Sequence, residues 1–222
     1  MCPAADTSGP NDSSPTDVEL TPVTVEKEGW RTRLLAARAA RSEEDRFVAT
    51  RALQAHLLGA VAEAGWSTIS AYVPFGDEPG SAETLTLLHA AGVRILLPCT
   101  GREHLTWAVY DGTLRPARLG ILEPTGADLG IDALSEVEAV LAPALAVDRS
   151  GTRIGYGRGY YDRALSRLPA QRPVLAVVYD DELVDSLPSA DYDRPVTHTV
   201  TPLLGTRPIR TPTRDMRASR ID

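Results

Sequence analysis

Apolar and polar positions follow two rhythms along this chain, and their order sets out an α/β plan. Between Val25 and Ala40, Trp30, Leu34, Leu35 and Ala37 recur at helical spacing with arginines between them, which predicts a first helix. Ser42, followed three residues on by Asp45, resembles a capping box with Asp in place of Glu, so a second helix is expected from there to about Ala64. The β-branched runs Thr68 to Val73 and Val93 to Leu97 flank a helical stretch from Ala82 to Ala91. Strand, helix and strand in that order predict a βαβ unit with parallel pairing.

Further on, His104 to Tyr110 turns Leu105, Trp107 and Val109 to one side, the pattern of a half-buried strand with Trp107 in the core. The continuous apolar runs Val137 to Leu141 and Pro173 to Tyr179 predict buried strands, and Tyr160 to Leu168 a helix. Asp180 to Pro188 reads as an acidic helix or turn, and Val196 to Thr201 as the strand that closes the sheet. The expected architecture is α/β: a single three-layer domain, residues 25–204, with a mostly parallel sheet flanked by helices. Residues 1–24, rich in Pro, Ser, Thr, Asp and Gly, predict a disordered tail, and the polar, arginine-rich residues 205–222 a loose one.

Composition narrows the classes of function. With 222 residues and 43% hydrophobic content the chain can bury the core of one domain, and no apolar run is long enough to cross a bilayer. A basic segment followed by an apolar one is missing at the start, so no secretory signal is expected and the cytoplasm is the predicted location. Cys2 and Cys99 show no metal-ligand spacing. A net charge of -7 argues against nucleic acid and favours small-molecule partners, with a monomer or weak dimer expected. Lys27 is the only lysine.

Against that acidic background one stretch stands out. From Pro143 to Leu165, Gly155, Gly157 and Gly159 alternate with Tyr156 and Arg158, and Arg149, Arg153, Arg158 and Arg163 surround them. Such glycines allow positive φ and let N–H groups converge on an anion. With a strand before the loop and a helix start after it, and Asp162 in the first turn able to hold a divalent cation, the parts describe a Mg-nucleotide site. The plainer reading is a glycine-rich connection with Tyr160 and Tyr161 buried and Asp162 a helix-start charge.

The run Asp-x-x-Gly-x-Arg-Ile-Gly-x-Gly-x-Gly-Tyr-Tyr-Asp, Asp148 to Asp162, closely resembles the signature of the 5-formyltetrahydrofolate cyclo-ligase family. The resemblance spans about Val25 to Leu203. It implies ATP-dependent cyclisation of 5-formyltetrahydrofolate to 5,10-methenyltetrahydrofolate, with ATP and Mg2+ as cofactors. For the nucleotide it implies Lys27 and Arg31 near the amino terminus, together with Arg153, Ile154, Gly155, Tyr156, Gly157, Arg158, Gly159, Tyr160 and Tyr161. Arg153, Arg158 and Tyr160 take the catalytic roles, and Asp162 and Asp193 the metal. Val73 and Glu78, after the first strand, take the folate beside Tyr156, Gly157, Arg158, Gly159 and Tyr160. The stretch Leu119-Gly-Ile-Leu-Glu-Pro124 matches a family turn and reads as structural.

This chain departs from the family at three positions. Many relatives have His where it has Tyr192, an acid where it has Ala190, and Gln where it has Glu182. Those departures leave open a paralogue that activates another small amide or acid with ATP; a non-catalytic nucleotide- or folate-binding module is the other alternative, against which the intact Lys27, Arg153, Asp162 and Asp193 argue. His56, His89, His104 and His198 share no ligand spacing.

Overall fold

The computed structural model describes residues 21–117 and 120–209. Two long helices open it, α1 (Pro22–Ala39) and α2 (Glu43–Ala64). Thr21 caps the first through its side chain, so the helix begins three residues inside the segment expected to be a tail. Ser42 caps the second, its hydroxyl accepting from the Asp45 N–H, and Gly65 ends it at φ 67. The cap expected at Ser42 is therefore present, but the reciprocal half of the box is not: the Asp45 carboxylate accepts the Ser42 hydroxyl at 2.7 Å rather than its N–H.

The central sheet has seven strands: β1 (Thr68–Ser70), β2 (Arg94–Thr100), β3 (Leu105–Val109), β6 (Ala139–Pro143), β9 (Val174–Val177), β11 (His198–Thr201) and β12 (Gly205–Pro208). Their order is β12-β11-β9-β6-β1-β2-β3. The five inner strands run parallel, with Ile69 opposite both Ile95 and Ala139, and the two edge strands are antiparallel. Helix α3 (Ala82–Ala90) makes the crossover from β1 to β2. The strand expected to close the sheet does not: β12 pairs outside β11, where a loose tail was expected. Thr206 and Arg207 alternate across it, a polar edge that apolar periodicity cannot reveal.

Alternation along the strands divides the core in two. Ile69, Ile95, Leu97, Leu141 and Leu175 meet Leu53, Leu57 and Val61 of α2 and Leu85 and Leu88 of α3. On the opposite face Leu96, Val140 and Ala176 meet Trp107, Leu134 and Leu165. Trp107 is fully buried, as its pattern predicts.

The chain departs from the simple strand, loop and helix plan just after β6. It inserts the hairpin β7 (Ala146–Asp148) and β8 (Arg153–Ile154), and β10 (Leu183–Val184) pairs with β7. Asp148 closes the hairpin: its Oδ1 accepts from the N–H of Ser150 and of Thr152, and its Oδ2 from the N–H of Leu187. This small sheet lies on Leu34 of α1. The glycine loop follows β8, and α4 (Tyr160–Leu165) ends three residues before the expected Leu168, its last bonds closing at i to i+3. A further hairpin, β4 (Leu114–Pro116) and β5 (Leu122–Pro124), flanks the main sheet.

Candidate functional site

A cavity of ≈ 450 Å³ opens at the carboxyl ends of β1 and β6, where open α/β sheets take their ligands. Its walls include the inner face of α1, the segment after β1, the glycine loop with α4, and Tyr192-Asp193, with Pro98, Thr100 and Leu105 of the sheet beside them.

The first wall follows from helical period. Lys27, Arg31, Leu34 and Arg38 fall at i, i+4, i+7 and i+11, one face of α1. Lys27 reaches the Asp193 carboxylate, 166 positions away. Arg31 donates from Nε to the Gly155 carbonyl at 2.8 Å, and a Cβ on Gly157 would stand 3.2 Å from its Cζ. Gly157 takes φ 92, so both space and backbone require glycine there. Among the described residues, no backbone N–H from Gly155 to Gly159 donates to a protein carbonyl. That leaves a run of unpaired donors beside the cavity.

The four arginines expected around the loop part ways. Arg153 and Arg158 line the cavity. Arg158 is exposed, and its guanidinium makes no ion pair among the described residues. Arg153 is buried, donating at 2.6 Å to the Arg194 carbonyl and at 2.8 Å to Asp162 Oδ1. Arg149 and Arg163 do not line it. The β7–β8 turn carries Arg149 out to pair with Asp185, and Arg163 folds back on the carbonyls of Glu103 and Arg158.

Asp162 and Asp193 both face the cavity. Asp162 Oδ1 also accepts from the Arg194 N–H at 3.3 Å, so its carboxylate touches the segment that carries Asp193. Asp193 Oδ2 takes Lys27 and the Ala190 N–H. Each carboxylate keeps its second oxygen without a hydrogen bond among the described residues. No group of three metal-ligating side chains is found among those residues. Two carboxylates fit a hard cation such as Mg2+ that completes its shell with phosphate oxygens and water.

At the other end, Val73 is buried and Glu78 half-buried, its Oε2 accepting from the Phe75 N–H at 2.9 Å. Burial pushes the Glu78 carboxyl above the usual range, against the pull of that N–H and of the Tyr156 hydroxyl. Tyr160 donates to the carbonyls of Gly101 and Arg102. Tyr161 stands edge-on to Trp107, and its hydroxyl is buried with no partner among the described residues. Ile154, Tyr156, Gly157 and Gly159 complete that wall, so every residue that the resemblance implied for nucleotide, folate or metal lines this one cavity.

Sequence reasoning missed several groups. Tyr72 lines the cavity and fixes the following loop by donating to the Pro79 carbonyl at 2.8 Å. Ile121 and Leu122 line it too, although their stretch was read as structural; Leu119 of that stretch lies outside the described residues. Glu123 keeps a structural role, its Oε1 accepting from the Thr100 N–H. The largest omission is Arg38, whose fork grips both oxygens of Glu182 at 2.6 and 2.8 Å. Burial lowers the guanidinium pKa, but the carboxylate more than reverses that and holds it above its ordinary value. None of the four histidines lines the cavity.

The model of the 5-formyltetrahydrofolate cyclo-ligase family matches residues 23–202. The chain is 41% identical over 186 residues to the 5-formyltetrahydrofolate cyclo-ligase of Mycolicibacterium smegmatis, covering 81% of this chain and 95% of that one. To the Escherichia coli K12 enzyme of the same name it is 30% identical over 142 residues, 61% of this chain and 78% of that one. The NMR structure of Aquifex aeolicus 5,10-methenyltetrahydrofolate synthetase superposes with a TM-score of 0.65 at 25% identity, covering 88% of this chain and 96% of that one. The Mycoplasma pneumoniae synthetase shares the fold, with a TM-score of 0.66 at 18% identity over 80% of this chain and 99% of that one.

Proposed function

The chain belongs to the 5-formyltetrahydrofolate cyclo-ligase family, and we propose that its cavity closes 5-formyltetrahydrofolate to 5,10-methenyltetrahydrofolate while ATP is converted to ADP and phosphate. A single juxtaposition supports this most directly. Cations, unpaired loop N–H groups and two half-used carboxylates line one cavity together with apolar side chains and Glu78.

A formamide carbon is a poor electrophile, so its oxygen must first become a leaving group. In the proposed sequence the formyl oxygen attacks the γ-phosphorus of ATP, the bond to the bridging oxygen breaks and ADP departs. The folate N10 then attacks the formyl carbon, loses its proton, and phosphate leaves with the C–O electron pair. Both steps call for positioning and charge neutralisation more than for covalent help from the protein.

The roles follow from reach. Arg158, Lys27, Arg31 and the Gly155–Gly159 N–H groups hold phosphate oxygens. Arg153 keeps Asp162 against the segment that bears Asp193, and these two carboxylates would hold a magnesium ion. When bound, that ion supplies neutralisation of the β- and γ-phosphate charge. Glu78, above Val73, accepts from donors on the pterin side. Tyr160, fixed by two carbonyls, shapes the passage between the two halves.

The test is spectrophotometric. Purified protein with 5-formyltetrahydrofolate and Mg-ATP should develop the near-ultraviolet band of the conjugated methenyl product, and lose it when ATP is omitted. ATP binding without the band would move the search to other ATP-activated amides.

A further inference from the structure

Arg38 and Arg31 lie seven residues apart on the inner face of α1 and grip neighbouring parts of the glycine loop. Arg31 holds the Gly155 carbonyl, while Arg38 donates from Nη1 to the Tyr156 hydroxyl oxygen at 3.2 Å. A guanidinium only donates, so the Tyr156 oxygen is the acceptor of that bond. Its own hydrogen must point elsewhere. The side open to it is the cavity, which the Glu78 carboxylate also lines.

Nothing leaves Arg38 free to do otherwise. It is 1% exposed, Nε and Nη2 are taken by Glu182, Nη2 also meets the Ala144 carbonyl at 2.6 Å, and Glu182 is anchored by the Tyr179 N–H. Tyr156 has no such restraint of its own, standing between Gly155 and Gly157.

We propose that Arg38 is a positioning residue for the folate half of the site: from outside the cavity it fixes Tyr156 as a donor toward Glu78, so that the carboxylate presents its remaining oxygen to the pterin. The proposal rests on the reading that Glu78 faces the folate. Other titratable or charged groups facing Glu78 are the buried Tyr72 beyond β1, the half-buried Tyr161 of α4, and Arg38 itself. Neither tyrosine replaces the Arg38–Tyr156 link: the Tyr72 hydroxyl is given to Pro79, and the Tyr161 hydroxyl makes no bond among the described residues.

The experiment is a kinetic double-mutant cycle on the full chain. Arg38→Lys keeps a cation beside Glu182 but loses the fork, and Tyr156→Phe removes only the hydroxyl. Each should raise KM for 5-formyltetrahydrofolate about tenfold while KM for ATP stays within about twofold. In the Tyr156→Phe background, Arg38→Lys should add nothing further to the folate KM. An additive effect, or a rise in both KM values together, overturns the proposal and makes Arg38 a purely structural anchor. If Arg38→Lys does not fold, Tyr156→Phe decides alone: an unchanged folate KM overturns it. Glu78→Gln separates the two levels. Should it raise KM for ATP and leave that for folate alone, the assignment of this end of the cavity fails, whatever Arg38 does.

Discussion

The ammonium of Lys27 is paired with the carboxylate of Asp193, the two side chains being 8% and 10% exposed. A residue proposed for phosphate and one proposed for metal thus neutralise each other in the free protein. The Tyr192 ring lies 5.5 Å from the ammonium. Binding of Mg-nucleotide would exchange one partner for another on each side: phosphate for Asp193 at the ammonium, magnesium for Lys27 at the carboxylate.

That exchange makes Lys27→Met informative in two ways. It strands a buried carboxylate, a defect that costs on the order of 3–5 kcal/mol, whereas adding Asp193→Asn should restore most of the loss. Activity should not return with stability. We expect KM for ATP to rise in Lys27→Met by at least about tenfold and more than that for folate, read by steady-state kinetics beside thermal melts. A larger effect on folate than on ATP would mean that Lys27 does not face the nucleotide.

Glu78 should show the reverse balance between stability and activity. Burial raises its carboxyl pKa in the folded state, so folding favours the protonated form. Its contribution to stability is therefore greatest below the unfolded pKa and is lost as pH rises through the raised folded one. At neutral pH the ionised side chain costs stability that Glu78→Gln would recover. A gain of about 1 kcal/mol would lift Tm by roughly 2–4 °C at pH 7.5, and the gain should vanish at pH 4. Folate turnover should fall in the same variant. A Tm that drops equally at both pH values would show that the carboxylate is satisfied in the free protein.

How much of this could be read from sequence depended on range. Ser42 and Asp45 lie within one turn, so their cap was legible, as was the period that brings Lys27 and Arg31 to one face. Glycine chemistry and the match from Asp148 to Asp162 drew the loop into view, but not the β7–β8 hairpin that delivers it, whose strands are three and two residues long. Such short pieces carry no measurable period. Arg38 and Glu182 are 144 positions apart, and on sequence each is an ordinary surface charge. Only the fold makes them a buried pair.

Gly157 tests the loop itself. At φ 92, with Arg31 3.2 Å from where a Cβ would stand, Gly157→Ala must both strain the backbone and displace the guanidinium from the Gly155 carbonyl. We expect a loss of about 1–2 kcal/mol in denaturant melts and a higher KM for ATP. Gly155→Ala is the comparison, because a Cβ there would meet nothing within 4 Å and its φ is not in the positive region. Equal effects from the two would remove the special role given to Gly157.

Tyr161 offers the last test, because its hydroxyl is buried without a partner among the described residues while its ring lines the cavity. An unmet buried hydroxyl costs about 1–3 kcal/mol, and a fold retains one at a cavity wall when a ligand completes it. Burial also pushes its pKa well up, so it remains a neutral donor at any working pH. Tyr161→Phe should therefore melt higher than the parent when ligand-free. With saturating Mg-ATP and folate the difference should shrink or reverse, as the parent hydroxyl gains its acceptor. Thermal melts of both proteins with each ligand separately will show which one supplies that acceptor; an advantage for Phe that persists with both bound would leave the hydroxyl without a function at this site.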